Sequence, residues 1–203
     1  MVITTKELMI KYKNYRSPKM KIKSEIEKGN YFKINRGLYE TNKNVEPFLL
    51  AAYIKSPSYL SFEYALAFYG IIPESVYTYT SATCLEKHTY EYENVFGRYS
   101  YHDVPKEAFA KDIMHIEKDG YAYNIASKEK SLCDLLAIKP PLNTKQELFS
   151  YLFDSLRIDE DMFQQMDYGK LIALSKLYKR KNLDLLIKLV GGFKRGKYHY
   201  WKN

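Results

Sequence analysis

The sequence predicts an α+β fold: a short helix–turn–helix and a basic-tipped hairpin, then a larger mixed part with a small antiparallel sheet and a helical C-terminal third. Three observations carry this expectation. Cap-like residues open two closely spaced helices before residue 30, Tyr-, Val- and Thr-rich runs alternate between 75 and 126, and apolar residues recur at helical spacing from 127 onward.

Thr4-x-x-Glu7 fits a capping box, in which the threonine bonds the third helical N–H and the glutamate reaches back, so a helix is expected to run to about Lys13. Ser17-Pro18 supplies a second start, because proline at the first helical position gives up an N–H that has no helical partner anyway. Gly29 is the natural stop. In residues 31–34, Phe32 and Ile34 share one face and Tyr31 and Lys33 the other, as in a half-buried strand. Gly37 supplies the positive φ of a tight turn and leaves Arg36 at its tip. Helix, turn, helix and basic-tipped hairpin is the order of a winged helix-turn-helix, whose second helix enters the major groove of DNA.

After residue 45 the character changes. "EPFLLAAYI" reads as a buried helix, and "PSYLSFEYALAFYGII" as an extended entry into a helix capped by Ser61 and ended by Gly70. Residues 75–126 read as the small antiparallel sheet. Ser127 then caps "KEKSLCDLLAIK", with Leu132, Leu135 and Leu136 as its core face and Lys128, Glu129 and Lys130 in an exposed first turn. Thr144-x-x-Glu147 opens another helix, and two apolar segments complete the C-terminal third. The expected division is 1–44 for the winged helix and 45–203 for the rest.

The net charge of +8 is unevenly spread. Residues 1–40 hold 10 Lys and Arg against 4 Glu, residues 176–203 hold 9 against 1 Asp, and the stretch between holds 13 against 19. Basic ends flanking an acidic middle suit a polyanion partner, with nucleic acid preferred to membrane because neither end has a strong apolar face. No apolar run approaches the roughly 20 residues of a membrane span, and the first residues lack a signal peptide's apolar stretch, so a cytoplasmic location is expected.

"KINRGLYE", "SPSYLSFEYALAFYGIIPE" and "YNIASKEKSLCDLL", in this order and spacing, resemble the signature blocks of the AbiEi family, the antitoxins of bacterial type IV toxin–antitoxin, or abortive-infection, systems. The resemblance covers nearly the whole chain. It implies an N-terminal winged helix and a C-terminal antitoxin domain, binding to repeats in the protein's own promoter, and action against a nucleotidyltransferase-like toxin without a required stable contact. The sequence departs from the family in one respect: residues 1–3 leave no room for a helix ahead of the pair, so the small N-terminal part is expected to lean on residues beyond 45 or on a second subunit.

On this reading Lys19, Met20 and Lys23, near the start of the second helix, face base edges and phosphates, while Ile22 and Ile26 face the core. Glu25 and Glu27 dilute the positive charge. Arg36 reaches phosphate or the minor groove, with Lys33 and Asn35 in support. Ser17 and the helix start seat a phosphate beside Arg16. The competing view of each is ordinary: a solvated lysine face and an exposed turn arginine. The tail carries Tyr198, Tyr200 and Trp201 among cations, which suits terminal packing somewhat better than stacking on single-stranded nucleic acid. An alternative function also stands: a protein-interaction module without DNA affinity that neutralises the toxin through the C-terminal domain.

Enzyme readings find little support. Asp159-Glu160-Asp161 has a helix-start explanation, and His88, His102, His115 and His199 are scattered without metal-ligand spacing. Cys84 and Cys133 form no C-x-x-C pair, and no phosphate-binding or nucleophile-elbow motif occurs. No cofactor, metal or small-molecule substrate is expected.

Overall fold

The computed structural model describes residues 1–84 and 88–193, so the expected roles of the tail aromatics lie outside the described residues. The chain is mixed α+β with two sheets.

The first sheet is built at the N-terminus. Strand β1 (Val2–Thr4) leads into α1 (Thr5–Lys11), then α2 (Pro18–Glu27), β2 (Phe32–Asn35) and β3 (Leu38–Glu40). The Thr4 capping box forms as expected: Thr4 Oγ1 accepts the Glu7 N–H and Glu7 accepts the Thr4 N–H at 2.7 Å. The helix stops at Lys11 rather than Lys13. Helix α2 ends in a Schellman turn, in which the Gly29 N–H donates to Ile26 O and the Asn30 N–H to Glu25 O, with Gly29 at φ +76°. Strand β1 was not foreseen. It pairs antiparallel with β3, giving the order β1-β3-β2.

The second sheet corrects the expectation of a small antiparallel one. It has six strands in the order β6-β7-β5-β4-β9-β8: β4 (Tyr59–Leu60), β5 (Thr78–Thr83), β6 (Tyr90–Asn94), β7 (Gly97–Asp103), β8 (Ile113–Lys118) and β9 (Tyr121–Ala126). The pairs β5–β7 and β4–β9 are parallel. Parallel pairing calls for cover on both faces, and both are covered. On one face Leu60, Tyr99, Tyr101, Tyr123 and Ile125 meet a 3-10 turn (Pro47–Leu50) and α3 (Ala51–Ile54), which together form the expected "EPFLLAAYI" element. On the other, Tyr59, Ala82 and Ala126 meet α4 (Phe62–Phe68), α6 (Lys128–Ile138), α9 (Tyr168–Ser175) and α10 (Lys181–Phe193). The short helices α5 (Lys106–Phe109), α7 (Lys145–Ser150) and α8 (Glu160–Gln164) fill the connections.

The N-terminal sheet lies between two cores. Tyr31 and Tyr39 face Leu8, Tyr12 and Ile22 of the two helices, while Ile34 and Leu38 face the body of the protein alongside Val45, Phe48 and Leu49. Three hydrogen bonds lock this contact: Asn35 Nδ2 donates to Ile54 O (2.9 Å), Asn94 Nδ2 to Ile34 O (2.9 Å), and Tyr121 Oη to the buried Glu40 (2.8 Å). The small unit therefore leans on residues beyond 45.

Two side-chain expectations change at α6 and α4. Ser127 caps α6 and the three leucines are buried, but Lys130 is fully buried and Glu129 nearly so, not exposed. Lys130 Nζ meets Asp134 (2.5 Å), Tyr178 Oη (2.5 Å) and Tyr59 Oη (2.8 Å). Ser61 does not cap α4 with its side chain; its hydroxyl donates instead to Asp134 (2.7 Å).

Candidate nucleic-acid interface

Helix α2 divides its residues by the inward pull of Ile22 and Ile26, which pack against α1 and the hairpin. Two basic residues, Lys21 on this helix and Lys11 on α1, are engaged locally. Lys21 bonds Glu25 (2.7 Å) and lies over the rings of Tyr12 and Tyr15, and Lys11 donates to Tyr31 Oη (2.7 Å). Glu25 is turned inward, and hydrogen bonds from Lys21 and Asn30 hold its carboxyl far down, at about 2. It thus dilutes the outward charge less than its sequence position suggested.

The remaining arc of α2 faces solvent. Lys19, Met20, Lys23 and Glu27 are exposed, Met20 by 63%. Lys23 and Glu27 stand 3.9 Å apart and are both largely solvated, a pairing worth little that a phosphate can displace. Arg16 and Ser17 lie exposed at the start of the helix, and the Ser17 side chain makes no cap bond, contrary to the expected serine cap. Its carbonyl accepts the Lys21 N–H instead.

On the hairpin, Lys33 is exposed and stands opposite Tyr39, on the sheet face that carries α1 and α2. Arg36 is exposed at the tip. Gly37, at φ +79°, closes the turn, and its carbonyl accepts the Thr5 N–H (2.8 Å), tying the tip to the start of α1. Asn35 differs from the other candidates. Its amide donates to Ile54 O and its carbonyl oxygen accepts the Arg36 N–H (2.6 Å), so it holds the hairpin in place.

Seven of the eight candidates thus present uncommitted or weakly committed side chains, and the eighth shapes the turn beneath Arg36. Sequence reasoning missed Tyr15, 52% exposed between the helices and edge-on to Tyr12, although an aromatic residue directly before Arg16 was a readable signal. It also missed the Lys130–Asp134 pair, whose i, i+4 spacing inside an apolar run marks two charges on a buried face.

Among the described residues no three His, Cys, Asp or Glu side chains gather as a metal site. Burial pushes the Cys133 thiol up to about 12, which makes it a poor nucleophile. Among the described residues no helix is long and apolar enough to cross a membrane. The exposed charged side chains on α2 and the hairpin are mostly basic: Lys19, Lys23, Lys33 and Arg36. No protein-family model matches the chain, and no curated protein matches it.

Proposed function

We propose that the chain is a cytoplasmic antitoxin and DNA-binding autorepressor of a bacterial type IV toxin–antitoxin pair. On this reading α2 enters the major groove of the promoter and the β2–β3 hairpin is the wing. The observation that carries it is the N-terminal arrangement: β1-α1-α2-β2-β3 with sheet order β1-β3-β2, an exposed Lys19–Met20–Lys23 arc, and Arg36 at a fixed turn. A strand ahead of the helix pair and a hairpin after it suit a winged helix that is supported by the body of the protein.

The resembling blocks also support the reading, because the second and third meet in space. Tyr59 and Ser61 of the second block donate to Asp134 of the third, across more than 70 residues of sequence. The first block docks on the body through Ile34 and Asn35. A two-fold promoter repeat requires a dimer or two molecules side by side. Neutralisation of a nucleotidyltransferase-like toxin belongs to the larger domain.

The test is the salt dependence of promoter binding. Lys23→Ala and Arg36→Ala are each expected to flatten the slope of log K against log salt by about 0.9, one phosphate contact apiece. Unchanged slopes in both remove them from the interface. The exposed Met20 favours a second reading, a protein-binding face. Nuclease-insensitive co-purification with the neighbouring gene product, lost in Met20→Glu, supports that reading instead.

A further inference from the structure

A second basic site lies on the opposite face of the large sheet. Between the end of β7, the C-terminal end of α6 and the start of α10 is a cavity of about 780 Å³. Lys139, Arg180 and Lys181 line it. Lys139 is partly neutralised by Glu63 at 3.5 Å, and Lys181 is oriented by a hydrogen bond to Asn143 (2.8 Å). Arg180 makes no ion pair among the described residues. The thirteen-residue α10 begins at the same wall, which adds the positive end of its dipole.

The walls are preformed. Asn182 donates to the carbonyls of Leu136, Lys139 and Pro140 and accepts the Leu142 N–H, clamping the end of α6 to the start of α10. Ile138, Pro140 and Pro141, on either side of Lys139 in the chain, give the lining its apolar part. His102 and Asp103 also line the cavity: the His102 ring is edge-on to Phe62, 3.4 Å from Thr89 Oγ1 and 3.3 Å from Ser100 Oγ, and the Asp103 carboxylate accepts from Thr83 Oγ1 at 2.9 Å. Such an opening, with fixed cations, an apolar wall and a few polar groups, has the size and character of a small-ligand site.

We propose that this cavity binds a free nucleoside triphosphate. The phosphates sit on Arg180, Lys181 and the first turn of α10, and the base lies against Ile138 and Pro140. Arginine suits this role because its planar fork pairs two phosphate oxygens at once. The proposal does not depend on the promoter reading, since no residue of α2 lines the cavity and the N-terminal unit docks on the other face of the large sheet.

Isothermal titration of the full chain with ATP and with GTP tests it. Saturable one-to-one binding of either is expected, weakened about tenfold or more in Arg180→Ala/Lys181→Ala, where two charge-assisted contacts are lost. Ile138→Asp, which leaves the cations in place and puts a charge on the apolar wall that holds the base, is expected to weaken it as well. The Lys23→Ala/Arg36→Ala protein is expected to bind as the unmodified chain does. Four results overturn the proposal: no saturation by either nucleotide at about 1 mM, equal affinity in the Arg180/Lys181 variant, inorganic tripolyphosphate binding as tightly as ATP, or saturation only by a single-stranded oligonucleotide. Thermal melts of the variants, whose altered side chains are exposed or at the cavity rim, verify that any loss of binding is not a loss of fold.

Discussion

Replacing Asp134 by alanine removes the acceptor at the centre of the buried network and leaves Lys130 enclosed without its acid. Four donors converge on that carboxylate: Lys130 at 2.5 Å and the hydroxyls of Tyr178 at 2.6 Å, Ser61 at 2.7 Å and Tyr59 at 3.1 Å. Lys130 and Asp134 are both fully buried. Breaking a buried pair on one side costs about 3–5 kcal/mol, and Asp134→Ala belongs at the upper end because three hydroxyls are stranded with the lysine. Lys130→Met belongs at the lower end, since the carboxylate keeps its three hydroxyl donors. In Lys130→Met/Asp134→Ala no buried charge remains, and only the hydroxyls lose an acceptor. The double variant should therefore be more stable than the sum of the two single losses by about 2 kcal/mol or more. Urea unfolding at neutral pH, followed by far-UV circular dichroism, measures all four corners of the cycle. A loss below about 1 kcal/mol for Asp134→Ala, or strict additivity, would refute the reasoning, because a buried unpaired charge is far costlier than that.

Asn35→Ala is expected to lower stability by about 1–2 kcal/mol, through loss of its bonds to Ile54 O and the Arg36 N–H, while leaving the salt slope of DNA binding unchanged. A slope change matching that of Arg36→Ala would return Asn35 to the interface. The Glu25 carboxyl is held at about 2 against an ordinary 4.5, and a native value below the unfolded one stabilises the fold above the unfolded value. That contribution is lost as pH falls from about 4.5 towards 2. Thermal melts of the unmodified chain and Glu25→Gln should differ at pH 7 and converge in strong acid, and a constant gap would contradict the assignment. Asn182→Ala frees three carbonyls at the end of α6 and is expected to cost about 2 kcal/mol or more in urea unfolding. A near-neutral result would mean that water replaces the amide.

Local chemistry made the N-terminal helices and the hairpin legible. The capping box at Thr4, Gly29 after α2 and Gly37 in the turn each act within a few residues of themselves. Strand β1 escaped because three residues without flanking turn signals carry no periodicity, and its partner β3 lies more than thirty residues away. The same limit hid the parallel pairs: alternation marks a strand but not its neighbour, and two-residue β4 shows no alternation. Lys130 was misread because a charged residue in the first turn of a helix is ordinarily solvated, and only Tyr59 and Tyr178, distant in sequence, make its burial tolerable. The outward arc of α2 was readable, because Ile22 and Ile26 fix which side faces in. The inward turn of Glu25 depends on Asn30 beyond the helix end and was not.

Binding of the full chain to a duplex from its own upstream region and to a scrambled duplex of equal length, across a range of salt, tests the central claim most directly. A preference for the native duplex that persists as salt rises is expected of a promoter-reading α2 and hairpin. Equal binding to both that vanishes together with rising salt would contradict it and leave the basic surface as a source of nonspecific attraction alone.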